Sequence, residues 1–211
     1  MEVKAYLERT FPNLILKPSL YCQWDIGIHF ELGNGIYQVK EDGELNLHRF
    51  EAVYSQTWSL FMSLFSEEDE MGVALNIYHT ETGRKSKRAT KVFGHYLRNK
   101  KLKYQIVHET LQHLPDDEEA GHTSRFYLKG RKSDFDCLKI ITAACNEDFP
   151  LKPRFGNDGG SYYPDIFFIN MTQDIIFFIY DDRGCEVIAA RTDSLRQLYA
   201  EYSEWVDEYN M

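Results

Sequence analysis

Residues Asp181, Asp182, Arg183, Gly184 and Cys185 set two carboxylates, a guanidinium and a thiol side by side, directly after the run DIIFFIY. Adjacent carboxylates can hold a divalent ion or move protons. Together with Asp165, which follows Pro164, they mimic the spacing of a metal-dependent nuclease: Pro-Asp, then an acid, any residue and Lys. Asp165, Asp181 and Asp182 are therefore the candidate catalytic or metal-binding residues of a hydrolase, with Mg²⁺ or Mn²⁺ as the ion. Two details weaken the match. The lysine position holds Arg183, which cannot deprotonate and is a poor general base, and the second acid falls in a turn instead of a strand. The same residues read more simply as a hairpin connection: Asp near the start bonds the backbone, and Gly near the end supplies a positive φ.

Other chemistry is thinner. His29 and Glu31 are two apart and so share a face of an extended strand, with Asp25 about 13 Å back. The pair could share a proton or a metal, or simply line the solvated face of an antiparallel sheet, and the second reading is preferred. The glycine-rich stretch RFGNDGGSYYPD follows a helix and precedes a strand, the reverse of the order a phosphate-binding loop requires. Its Tyr162 and Tyr163 could line a recognition surface or pack on a sheet edge. No Walker or dinucleotide fingerprint, nucleophile elbow or H-E-x-x-H occurs, so no cofactor is expected. Cys22, Cys137, Cys145 and Cys185 are scattered singly, without zinc-ribbon or disulfide spacing, and read as free thiols.

Charge is unevenly divided. The net charge of −9 disfavours anionic membranes and nonspecific nucleic-acid binding. Yet residues 82–108 contain nine Lys or Arg and no acid, so the remainder carries −18. That basic stretch, 84–103, could serve a nucleic-acid adaptor. Acidic clusters sit at Glu67, Glu68, Asp69 and Glu70 and at Asp116, Asp117, Glu118 and Glu119, both in stretches that read as loops. They are the candidate partner-binding surface, suited to steering a basic protein.

The elements that must position these groups follow from periodicity. Residues 3–11 predict a short helix ended by Pro12. Trp24, Ile26, Ile28, Phe30 and Leu32 alternate with polar residues and predict a strand; Asn34-Gly35 then predicts a hairpin into a second strand, IYQVKE. Apolar positions at three and four over 47–65 predict a helix packed on the sheet. MGVALNIYH, KLKYQIVHETLQHL and SRFYLKG read as strands, with a helix through KVFGHYL. A buried helix over 133–149 precedes the loop 150–164. Then come the strands DIFFIN, IIFFIY and CEVIAA, whose short connections make them antiparallel, and a helix striped by Leu195, Leu198, Tyr199, Tyr202, Trp205, Val206 and Tyr209. Unbroken apolarity in DIFFIN and IIFFIY implies cover on both sheet faces. The predicted class is α+β, a mainly antiparallel sheet or sheets with helices on the faces, ending in a three-strand meander and an amphipathic helix. One domain over 1–211 is expected; the 150–163 region allows subdomains at 1–150 and 151–211.

With 43% hydrophobic and 15% aromatic residues the chain can bury a large core. No apolar run reaches the roughly 18 residues of a membrane span, and the charged first residues do not resemble a signal peptide, so a cytoplasmic location is the expectation. The blocks WDIGIHFELGNGIYQVKEDGELN and PDIFFIN with IIFFIYDDRGCEVIAA resemble a family of uncharacterised bacterial proteins, a domain of unknown function. Its members lie among genes beside polymorphic secreted toxins. The resemblance thus implies an immunity-type role and assigns no catalytic residue. The expected function is a non-enzymatic interaction protein that neutralises a cationic toxin domain.

Overall fold

The computed structural model describes residues 1–80, 89–112, 121–155 and 163–207. In chain order the elements are α1 (Val3–Thr10), β1 (Gly27–Glu31), α2 (Leu47–Leu64), β2 (Glu70–Thr80), α3 (Ala89–Tyr96), β3 (Val107–Gln112), β4 (Gly121–Arg131), α4 (Cys137–Cys145), β5 (Asp165–Asn170), β6 (Ile175–Ile179), β7 (Gly184–Ala189) and α5 (Asp193–Glu201). The described strands form one sheet of seven, ordered β1-β7-β6-β5-β2-β4-β3, and every neighbouring pair is antiparallel. The meander β5–β7 sits in the middle of this sheet, between β1 and β2, so the sheet is continuous across residues 150–163. The chain is α+β, as its periodicity implied.

Helices lie on both faces, which is why β5 from Ile166 to Ile169 and the whole of β6 are apolar. Ile166, Phe168, Phe177 and Val187 face a layer built from α2, α3, α4 and α5. Phe167, Ile169, Phe178 and Ile188 face α1 and the segment after it, through Phe11, Leu16 and Leu20. Phe61 of α2 centres the larger core, its ring 4.6 Å from that of Phe65 and 5.1 Å from that of Phe168. Truncating such a fully buried ring costs ~3–5 kcal/mol. Among the described residues no helix is long and apolar enough to cross a membrane.

The structure departs from the sequence reading in four places. IYQVKE is not a strand: β1 pairs with β7, and the loop 32–46 holds only the single bridge Val39–Leu45. The first strand is shorter than 24–32; of its polar face Asp25 and Glu31 are exposed, as read, and His29 alone is partly covered. Residues 100–105 form a 3-10 turn, so only 107–112 of that segment is extended. Finally, α5 stops at Glu201; a 3-10 turn follows, and Val206 bridges to Phe30 on the outer edge of β1.

Candidate functional site

The turn that joins β6 to β7 is an anchor. Asp181 is buried and accepts hydrogen bonds from the Arg183 backbone N–H at 2.6 Å and from its own neighbour's guanidinium, Nε at 2.8 Å. Asp182, 1% exposed, points the other way and meets Arg49 from the first turn of α2. Arg49 Nε donates to Asp182 Oδ2 at 2.8 Å and Nη2 donates to the Asp182 carbonyl at 3.1 Å. The remaining donors go to the carbonyls of Gly33 (2.5 Å), Ile36 (2.6 Å) and Leu32 (3.3 Å). All five guanidinium N–H groups thus have acceptors, the condition under which a buried cation is tolerated. Asp182 Oδ1, by contrast, is buried with no donor among the described residues. Gly184 is a strand residue without positive φ. It is needed for space: a Cβ there would lie 2.6 Å from the Phe30 carbonyl and collide with the Tyr180 hydroxyl.

What Arg49 holds is the loop 32–46. Three of its carbonyls are captured from beneath, and Leu32 N–H donates to the Arg183 carbonyl at 2.8 Å. This explains the missing hairpin, because carbonyls pulled down onto α2 cannot pair with β1. The outer surface of the loop carries Tyr37 at 83% exposure, Val39 at 46%, and Leu47 at 55% where α2 begins. Around them Glu41, Asp42, Glu44 and Glu51 are exposed, with Lys40 within 3.8 Å of Glu44 as the facing cation. An exposed tyrosine beside aliphatic side chains and an acidic rim is the composition of a protein-binding surface.

The acidic cluster at 67–70 is differently built. Asp69 is buried at 5% exposure; its Oδ2 accepts from Ser66 N–H at 2.7 Å and Asn170 Nδ2 at 2.8 Å, tying the end of α2 to β5. Glu70 pairs with Lys129 at 2.9 Å and Glu67 lies 3.5 Å from Lys132. Glu68 is exposed. This cluster follows the C-terminus of α2 and the Tyr37 loop precedes its N-terminus, about 27 Å apart along an 18-residue helix. Asp116, Asp117, Glu118 and Glu119 lie outside the described residues, as do Arg84, Lys85, Lys87, Arg88 and Tyr162. Of the basic stretch, Arg98 faces Asp136 at 3.6 Å and Lys103 sits over the Tyr104 ring. Tyr163 is structural: it accepts from Phe155 N–H and donates to the Ala143 carbonyl.

Asp165 does not join Asp181 and Asp182. It accepts from the Tyr78 hydroxyl on the α1 side of the sheet, and burial lifts its carboxyl to about 7. Among the described residues no three His, Cys, Asp or Glu side chains converge as a metal ion requires. Asp165 instead starts a ladder of directly opposed polar residues across four strands: Asp165, Asn76, Arg125, Glu109. Arg125 Nε donates to Asn76 Oδ1 at 2.7 Å, and Arg125 Nη2 and Asn76 Nδ2 both donate to the Leu16 carbonyl at 2.7 Å. On the same face His29 joins Asp207, 3.0 Å from Nδ1, to the Tyr180 hydroxyl, 2.9 Å from Nε2. Tyr21 stacks on its ring at 5.0 Å. An acid, an imidazole and a hydroxyl in line have the order of a proton relay, but here burial and neighbouring Asp181 raise the tyrosine's pKa, and the three residues clamp the C-terminal segment to β1. Glu31, the other half of the sequence pair, is exposed and accepts from Asn34 Nδ2.

Of the ladder only Asp165 was singled out from the sequence; Arg49, Asn76 and Arg125 were not, though each left a signal. Arg49 stands four residues before Val53, on the apolar stripe of α2. Asn76 and Arg125 interrupt β2 and β4 at the parity whose neighbours on that face, Ala74 and Tyr127, are buried.

Fold and surface together define a class: a single open antiparallel sheet covered on both faces, with an acidic loop held by Arg49 that exposes Tyr37. The chain belongs to the family described as a domain of unknown function, DUF3885, whose model matches residues 3–210. It is 44% identical over 211 residues to the uncharacterized protein YnaE of Bacillus subtilis (strain 168), covering 99% of each chain. No solved structure matches it.

Proposed function

We propose that this chain is a non-enzymatic cytoplasmic interaction protein of the immunity type, which captures and occludes a basic protein through the loop 32–47. The observation that carries the reading is the Arg49–Asp182 pair beneath that loop. A buried ion pair is at best a modest source of stability; here its geometry fixes three loop carbonyls, so Tyr37, Val39 and Leu47 are presented in one conformation before any partner arrives. Preorganisation lowers the entropy cost of binding. The net charge of −9 and the acidic rim favour a basic partner and speed its approach. Glu67, Glu68 and Glu70 are secondary contributors in this reading, because two of them already face lysines. The test is capture of binding proteins by the tagged chain from its own cells, washed at low and high salt, beside a Tyr37→Ala form. A stoichiometric basic protein weakened by salt and lost with Tyr37→Ala supports the proposal; an empty capture overturns it.

A metal-dependent hydrolase on Asp165, Asp181 and Asp182 is the competing reading and requires all three to leave their present partners. Calorimetric titration with Mg²⁺ and Mn²⁺ separates the two, since converging carboxylates would bind. A nucleic-acid adaptor using 84–103 would instead show binding that falls steeply with salt.

A further inference from the structure

The sheet ends in two edges, β1 and β3. A bare edge strand offers its unpaired N–H and C=O groups to any other strand, and folded proteins manage such edges. β1 is managed: the segment after α5 lies along its outer side, with Val206 bridged to Phe30 and Asp207 N–H donating to the His29 carbonyl at 3.0 Å. β3 is not. It pairs with β4 in unbroken register, without proline or bulge, and among the described residues no backbone hydrogen bond reaches its outer side. Its flanks are apolar at both ends. Exposed Met1, Tyr104 and Val107 gather beside the N-terminal end, and Leu14, exposed Ile15 and Leu111 beside the C-terminal end. Midway, Lys4 of α1 donates to Glu109.

We propose that two copies of this chain pair through β3, antiparallel about a two-fold axis at Glu109, so that one sheet runs through both. This register sets Val107 opposite the second copy's Leu111 and His108 opposite its Thr110. The apolar flank at each end of the strand then meets the flank at the other end of its mate. Glu109 faces its own symmetry mate, yet a Lys4 stays beside each carboxylate, so two cations and two anions surround the axis. Each copy has one bare edge, since β1 is covered, and the contact therefore closes at two. β1, which leads into the Tyr37 loop, is the opposite edge. Pairing leaves both loops free, and the failure of either reading would not touch the other.

Sedimentation equilibrium of the full chain tests it. Wild type should weigh as two copies at high concentration and as one on dilution, never as more. Val107→Asp sets a carboxylate against the second copy's Leu111, and Lys4→Glu leaves carboxylates alone around the axis; each should weaken pairing about ten-fold or more. Val107 is exposed, so the dilute Val107→Asp chain should melt near wild type. Tyr199→Asp, at an exposed aromatic of α5 beside the β1 edge, should pair as wild type does. A single chain mass up to millimolar concentration, pairing untouched by Val107→Asp and Lys4→Glu, equal loss with Tyr199→Asp, or growth beyond two copies would each overturn the proposal.

Discussion

Arg49 is the residue on which most depends, since it is a cation 6% exposed inside the larger fold. Removing it leaves Asp182 as an uncompensated buried charge that already has one oxygen without a donor. Arg49→Met should therefore destabilise by ~3–5 kcal/mol, measured by urea unfolding. Arg49→Met with Asp182→Leu should cost clearly less than the two single changes summed; strict additivity would mean the pair is not coupled. Glu186 makes a second prediction at this scale. It is 3% exposed, and its carboxyl holds Leu20 N–H at 2.6 Å. Burial nevertheless raises it to about 7. A carboxyl raised in the folded state gives stability fully present below its unfolded value, near 4.5, and lost as pH rises through about 7. Asp165, at about 7, and Glu147, lifted to about 8 mainly by burial, act in the same direction. His79, lowered by burial, acts oppositely below 6.5. The useful quantity is thus a difference. Between pH 5 and 7 wild type should lose stability relative to Glu186→Gln, by at most about 1.4 kcal/mol per pH unit; parallel pH curves would show that Glu186 does not titrate there.

At the scale of elements, the loop 32–46 supplies the sharpest contrast. Gly33 and Gly35 both have positive φ, 62° and 75°. A Cβ at Gly35 meets nothing within 4 Å, whereas one at Gly33 would lie 2.6 Å from Arg49 Nη1 and 2.9 Å from Val53. Gly35→Ala should cost only the backbone strain, ~1–2 kcal/mol. Gly33→Ala should cost more and also free loop amides to hydrogen exchange; equal losses from the two would contradict the pinning of the loop by Arg49. This loop also marks how far sequence reading reaches. The helices α1, α2 and α4 and the meander β5–β7 were legible because their signals are local, a period of 3.6 or short connections between apolar runs. Asn34-Gly35 is an equally strong local signal for a hairpin, and it misleads because Arg49, together with Asp182 from a turn 133 residues further along the chain, takes the carbonyls. Gly184 was read for its φ and serves for its missing side chain. Cys137 and Cys145 were read as free thiols, and burial pushes both up to about 12.

For the whole molecule, the sheet places the acidic Tyr37 loop at one end of α2 and the lysine-paired acidic cluster at the other, so an interaction account must choose between them. The sequence weighted the clusters at 67–70 and 116–119 because charge runs are visible in one dimension. Exposure of Tyr37 and burial of Asp69 are not visible there, since both depend on contacts distant in the chain. The most direct test is the association rate between the captured basic partner and three forms of the chain across ionic strength: wild type, Glu41→Gln with Asp42→Asn and Glu44→Gln, and Glu67→Gln with Glu68→Gln. Loop-directed capture predicts that neutralising 41–44 slows association about ten-fold at low salt and flattens its salt dependence, while the 67–68 form stays close to wild type. A rate insensitive to the loop charges, or one governed by Glu67 and Glu68, would contradict it.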